Sequence, residues 1–64
     1  MAIFEKQGDE HYAAITYHQL GTIAQEQRDF AGAEQWYRKA LAIWEKYGDK
    51  HNEAATRSNL ERLR

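Results

Sequence analysis

The 64-residue chain has no cysteine and no proline. Without cysteine it can form neither a disulfide framework nor a thiolate zinc site. Without proline, and with 4 glycines, it lacks the turn punctuation of a small β fold, which favours helices. No run approaches the roughly 18 consecutive apolar residues that a membrane span requires, and the mean hydropathy is −0.94. Neither sign of charge dominates: 9 basic and 10 acidic residues give a formal charge of −1. That balance does not fit a nucleic-acid binder, which carries a basic face. After Met1-Ala2-Ile3-Phe4 the chain turns to Glu5 and Lys6, so no secretory h-region is visible and a cytoplasmic location is expected. What remains is a helical chain short enough that its own core is marginal.

The sequence repeats itself. Shifted by 40 positions, residues 1–24 fall on residues 41–64, and 10 of 24 pairs are identical. They include Ile3/Ile43, Gly8/Gly48, Asp9/Asp49, His11/His51, Ala14/Ala54, Thr16/Thr56 and Leu20/Leu60. Phe4/Trp44 and Met1/Leu41 keep their bulk. A period of this size belongs to stacked helical units. The chain holds one full period and 24 residues of the next.

Each period reads as two helices. Gly8-Asp9 and Gly48-Asp49 look like helix junctions, the glycine in a left-handed position and the aspartate as the next N-cap. Ala14, Tyr17, Leu20, Gly21 and Ala24 share one helical face, widened by Ile15 and Ile23, which predicts a helix from about Glu10 to Gln27. Asp29 is the next N-cap. Phe30, Ala33, Tyr37, Ala40, Leu41 and Trp44 form one stripe of a second helix, and Trp36 and Ile43 an adjoining one. So wide an apolar arc expects neighbours on two sides. A third, more polar helix is predicted from about Lys50 to Leu63. The expected division is therefore 1–7 as the tail of a preceding second helix, 9–48 as one full repeat, and 49–64 as the first helix of the next. Gly21, Ala24, Ala33 and Ala40 would let two antiparallel helices approach closely, with Tyr17, Tyr37 and Trp44 as ordinary core.

These positions resemble the tetratricopeptide repeat, a helix–turn–helix unit. Tyr17 matches its early aromatic, Leu20-Gly21 its Leu-Gly, Asp29-Phe30 its turn, and Ala33, Tyr37 and Ala40 its second-helix set. Ala24 replaces a second aromatic, and Arg28 replaces a frequent glycine. The usual terminal proline is absent and the unit is about six residues longer than the standard repeat. In that respect the chain is similar to the long repeats of kinesin light chains and of bacterial multidomain regulators. The resemblance implies an all-α solenoid fragment whose first helices line a concave groove for extended peptides. In the third helix Arg57, Glu61 and Arg62 replace Tyr17, Gly21 and Thr22. A terminal capping helix and a continuing repeat are both compatible with that.

Metal and catalytic chemistry find no support in the sequence. His11 and His18 lie about 10 Å apart along a helix, too far for one ion at about 2.1 Å from each nitrogen. Ser58 is the only serine and has no nucleophile elbow. Gly8-Asp9 and Gly48-Asp49 place a carboxylate where a phosphate would sit. No enzyme activity, cofactor or metal is expected.

Two interaction readings follow. The resemblance maps groove contacts onto Ile15, His18, Gln19, Thr22, Gln25 and Glu26, then Ala55, Ser58, Asn59 and Arg62. Of these His18, Gln19, Thr22, Gln25, Ser58, Asn59 and Arg62 are the expected peptide-binding set. Amides at 19 and 59 offer both donors and an acceptor to a peptide backbone. His18 and Thr22 stand where chaperone-tail-binding repeats use Lys and Asn, so no carboxylate clamp is expected. The second reading is self-association, because a repeat buries its apolar face only against neighbours. Ile3, Phe4, Trp36, Ile43 and Trp44 are the expected surface, and a homo-oligomer formed by stacking or helix swapping is the expected partner state.

Overall fold

The computed structural model describes the backbone of residues 2–63 and the side chains of residues 8–63. Three helices follow in order: α1 (Ala2–Glu26), α2 (Phe30–Lys46) and α3 (Lys50–Arg62). No strand occurs among the described residues, so the chain is all-α as expected. α2 is central. It packs on α1 on one side and on α3 on the other, and α1 and α3 face each other across a groove.

The two turns share one construction. After α1, Arg28 adopts φ 65°, and the amides of Arg28 and Asp29 donate to the carbonyls of Gln25 and Ala24 at 2.9 and 2.8 Å. After α2, Gly48 adopts φ 68°, and the amides of Gly48 and Asp49 donate to Glu45 and Trp44 at 3.2 and 2.9 Å. This paired pattern satisfies carbonyls that a helix end leaves orphaned. Each turn runs directly into an aspartate N-cap. Asp29 accepts from the Gly32 amide at 3.1 Å, and Asp49 from the Asn52 amide at 3.2 Å. An aspartate is favoured there because its oxygen fills an orphan donor of the first turn.

The junction expected at Gly8-Asp9 is not formed. α1 runs unbroken from Ala2 to Glu26. A glycine permits a left-handed turn but does not impose one, and inside a helix it costs only about 1 kcal/mol relative to alanine. At Gly48 the turn is held by α3 folding back on α2. Ile3 and Phe4, expected on a flanking surface, lie outside the residues whose side chains are described.

The core is built from small residues of facing helices and two large aromatics. Ala14, Ala40 and Trp44 form one cluster, with Tyr17 and Ile43 packed against it. Ala24, Ala33 and Tyr37 form the other, with Trp36, Leu60 and Leu63 against it. Gly21 sets the helix separation: a Cβ there would lie 2.6 Å from the Tyr37 ring. That sub-contact distance explains why the Leu20-Gly21 pair needs glycine. Trp44 is 2% exposed. It therefore sits inside the hairpin and not on a flanking surface, as the self-association reading expected; the alanine at 40 and 14 leaves room for the indole to turn inward. Tyr17 stacks on Trp36, with centroids 5.7 Å apart, and Lys39 lies over both rings.

Candidate binding groove

The groove between α1 and α3 is organised by one buried hydroxyl. Thr56, fully buried, accepts the indole Nε1–H of Trp44 at 3.0 Å. It also lies 3.0 Å from Nδ1 of His18. The other imidazole nitrogen, Nε2, is 3.1 Å from the side-chain nitrogen of Asn59, and Arg62 donates to the Asn59 Oδ1. These contacts assign the protons. Arg62 has only donors, so Asn59 Oδ1 is the acceptor and its NH₂ donates to Nε2. His18 is then neutral, with its proton on Nδ1 donated to Thr56. A Trp44–Thr56–His18–Asn59–Arg62 chain thus ties α2, α3 and α1 together. Burial lowers the His18 pKa from its ordinary 6.5, because the charged ring is less well solvated there.

A second set lies toward the C-terminal end of α1. The Tyr37 hydroxyl donates to Gln25 Oε1 at 3.0 Å and is 3.1 Å from the Thr22 hydroxyl, which itself donates to the His18 carbonyl at 3.1 Å. The His18 ring packs tilted on the Tyr37 ring at 5.3 Å. No buried side-chain polar atom among the described residues lacks a partner.

The His18–Asn59 contact stands between two depressions on this face. One, of about 180 Å³, is lined by Ile15, His18, Gln19, Trp44, Asn52 and Ala55. The other, of about 410 Å³, is lined by Thr22, Gln25, Glu26, Tyr37, Asn59 and Arg62. Six of the seven residues expected to bind peptide are therefore brought to one face. Ser58 is not among them. It lines a separate depression with Lys50, Glu53, Ala54, Arg57 and Glu61, because two residues past Thr56 the helix has turned well away from α1. His18, Thr22, Gln25, Asn59 and Arg62 also spend polar groups on each other or on the scaffold, while Gln19 and Ile15 remain exposed at the rim.

Sequence reasoning missed Thr56, Asn52, Tyr37 and Trp44 as parts of this face. One signal for Thr56 was present: it is one of the identical pairs of the 40-residue register, as Thr16/Thr56. Asn52 is fixed by the turn, its side chain donating to Asp49 Oδ2 at 2.7 Å. The side-chain and backbone hydrogen bonds from Asn52 hold the Asp49 carboxyl below its ordinary pKa, with smaller help from His11 and His51. His11 pairs with Asp49 at 3.3 Å and sets its ring edge-on to Trp44 at 5.0 Å. Its repeat equivalent His51 is exposed. No cluster of three or more His, Cys, Asp or Glu able to hold a metal ion occurs among the described residues, and no described helix is long and apolar enough to cross a membrane.

Two helices of one hairpin and the first helix of another, packed through small residues on an aromatic core, are the geometry of a helical repeat. A family model described as the tetratricopeptide repeat matches residues 1–46 and, overlapping it, 12–64. The chain belongs to the tetratricopeptide-repeat family. No curated protein and no solved structure matches it. Within this tetratricopeptide repeat, Gly21 meets Tyr37, and Ala14 and Ala24 meet Ala40 and Ala33 to form the α1–α2 contact. Family membership makes the chain a protein–protein interaction module in the general sense.

Proposed function

We propose that the chain is a non-catalytic scaffold that receives an extended peptide segment of a protein partner on the face between α1 and α3. The observation that supports this reading is the convergence of amide, hydroxyl and apolar groups from two helices onto the paired depressions. Gln19 offers its amide, and Asn52, whose NH₂ is held by Asp49, offers its Oδ1 to a peptide backbone in the depression that Ile15 and Ala55 also line. Apart from His18, whose pKa burial lowers, the lining of the smaller depression carries no acidic or basic side chain, which favours an uncharged peptide side chain there. Arg62 and Glu26 flank the larger one. We further propose that the repeat unit is the long, 40-residue type, with the α1–α2 hairpin up to Gly48 as one unit and 49–64 opening the next.

Selection of peptides from a display library against the whole chain tests this. A selected peptide is expected to lose at least tenfold in affinity on Ile15→Arg and on Gln19→Ala. It should be unaffected by Lys39→Ala on the opposite side of the hairpin. Equal affinity for all four proteins would contradict the reading.

A further inference from the structure

The face that α3 uses to bind the hairpin is present a second time in the chain, and there it is uncovered. On α3, Asn52, Thr56 and Leu63 lie along one stripe; Thr56 is buried beneath Trp44 and His18, and Leu63 packs on the Tyr37 cluster. Forty residues earlier the same positions on α1 are Tyr12, Thr16 and Ile23. They spiral along α1 on the side turned away from α2 and α3. Tyr12 is 72% and Ile23 49% exposed. Thr16 carries the hydroxyl that Thr56 places under the indole, but directs it to its own helix, donating to the Tyr12 carbonyl at 3.1 Å.

We propose that α3 occupies, within the chain, a docking face that also accepts α1 of a second copy of this chain. In that arrangement Tyr12, Thr16 and Ile23 of one copy replace Asn52, Thr56 and Leu63 of the other. Thr16 then receives the Trp44 indole N–H. The intramolecular α2–α3 contact is the template that identifies the occupant. The α1 stripe is the more apolar of the two, with tyrosine in place of asparagine, so it gains more from leaving water. α3 holds the site because it is tethered: a short connection gives it an effective concentration in the millimolar range. An untethered copy therefore competes only when α3 is loosened or the chain is concentrated. The contact joins two different surfaces, so it is heterologous and extends head to tail instead of closing as a dimer. A copy bound there displaces the α3 wall of the peptide groove, so the two modes exclude each other; the surface differs from the Trp36/Ile43 side expected from sequence.

Sedimentation velocity on the full chain tests this, with helicity followed by circular dichroism. Thr56→Arg places a charge in the buried site and releases α3. The variant is expected to associate at concentrations at least tenfold below those of the unaltered chain, with mass rising beyond a dimer. Adding Thr16→Arg to the same chain should return it to monomer. A folded, monomeric Thr56→Arg chain would overturn the proposal, as would association that Thr16→Arg leaves unchanged. If Thr56→Arg loses its helices, the unaltered chain and its single Thr16→Arg variant decide, compared at millimolar concentration. Association of the former that the latter abolishes supports the docking face, and identical behaviour of the two overturns it.

Discussion

The indole N–H of Trp44 donates to the hydroxyl of Thr56 across the α2–α3 contact at 3.0 Å, with both side chains buried. The energetic weight of this pair lies in what its loss would leave behind. Thr56→Val keeps the shape and removes the acceptor, stranding a buried indole donor and the His18 Nδ1–H together. An unsatisfied buried donor costs about 1–3 kcal/mol. Urea unfolding is expected to show a loss of that size for Thr56→Val and a much smaller one for Thr56→Ser. Equal stability of the valine and threonine chains would show that the hydroxyl carries no weight.

Gly21 faces the Tyr37 ring with no room for a Cβ. Gly21→Ala gains helix propensity of about 1 kcal/mol but forces α1 and α2 apart, and overpacking of this kind costs about 1–3 kcal/mol. The net expectation is destabilisation, read from thermal unfolding. The pair Gly21→Ala with Tyr37→Phe should not recover it, because the clash is with ring carbons and not with the hydroxyl.

The two turns make opposite predictions from the same geometry. Arg28 holds a left-handed φ of 65° as a non-glycine residue, a conformation that costs about 1 kcal/mol or more. Arg28→Gly should stabilise the chain by up to about 1 kcal/mol, the larger unfolded-state entropy of glycine taking back part of the gain. Gly48→Ala, at φ 68°, should destabilise by a similar amount. Denaturant midpoints moving in the same direction for both would contradict this account of the turns.

Stability should fall in mild acid through His18. Its folded-state pKa is depressed below 6.5 by burial, so the unfolded chain binds the proton first. Stability is then fully present above pH 6.5 and is lost as pH falls from there through the folded pKa. Protonation also puts a donor on Nε2 facing the Asn59 amide, breaking the link between α1 and α3. His18→Gln should remove this part of the pH dependence. Below about pH 3.8 the lowered Asp49 carboxyl adds a further loss, as its bonds to Asn52 weaken on protonation. A chain whose unfolding midpoint is flat between pH 7 and 5 would rule out the His18 contribution.

Much of the fold was legible in the sequence because helical periodicity and aspartate caps are local signals. The ends of α2 and the start of α3 follow from Asp29, Gly48 and Asp49 alone. The unbroken α1 was not legible, since Gly8-Asp9 repeats Gly48-Asp49 letter for letter and differs in what folds back on it. The groove was legible as a set of positions through the family resemblance, but not in its wiring. Thr56 stands in a polar helix beside Arg57 and Ser58, and nothing local marks it as buried. Its burial comes from Trp44 and His18, 12 and 38 residues away. Trp44 reads from the sequence both as core and as a flanking surface, and its burial fits the core reading: an aromatic on a broad apolar arc points to the neighbour that exists, which here includes α3.

The most direct measurement of the central claim is the map of amide chemical-shift changes when the labelled chain is titrated with a peptide selected for binding it. Changes are expected at Ile15, Gln19, Asn52 and Ala55, and in the side-chain amides of Gln19 and Asn52, with the largest on both helices together. Changes confined to Trp36, Lys39 and Ile43, or to α3 alone around Arg57 and Ser58, would contradict a binding face built between α1 and α3.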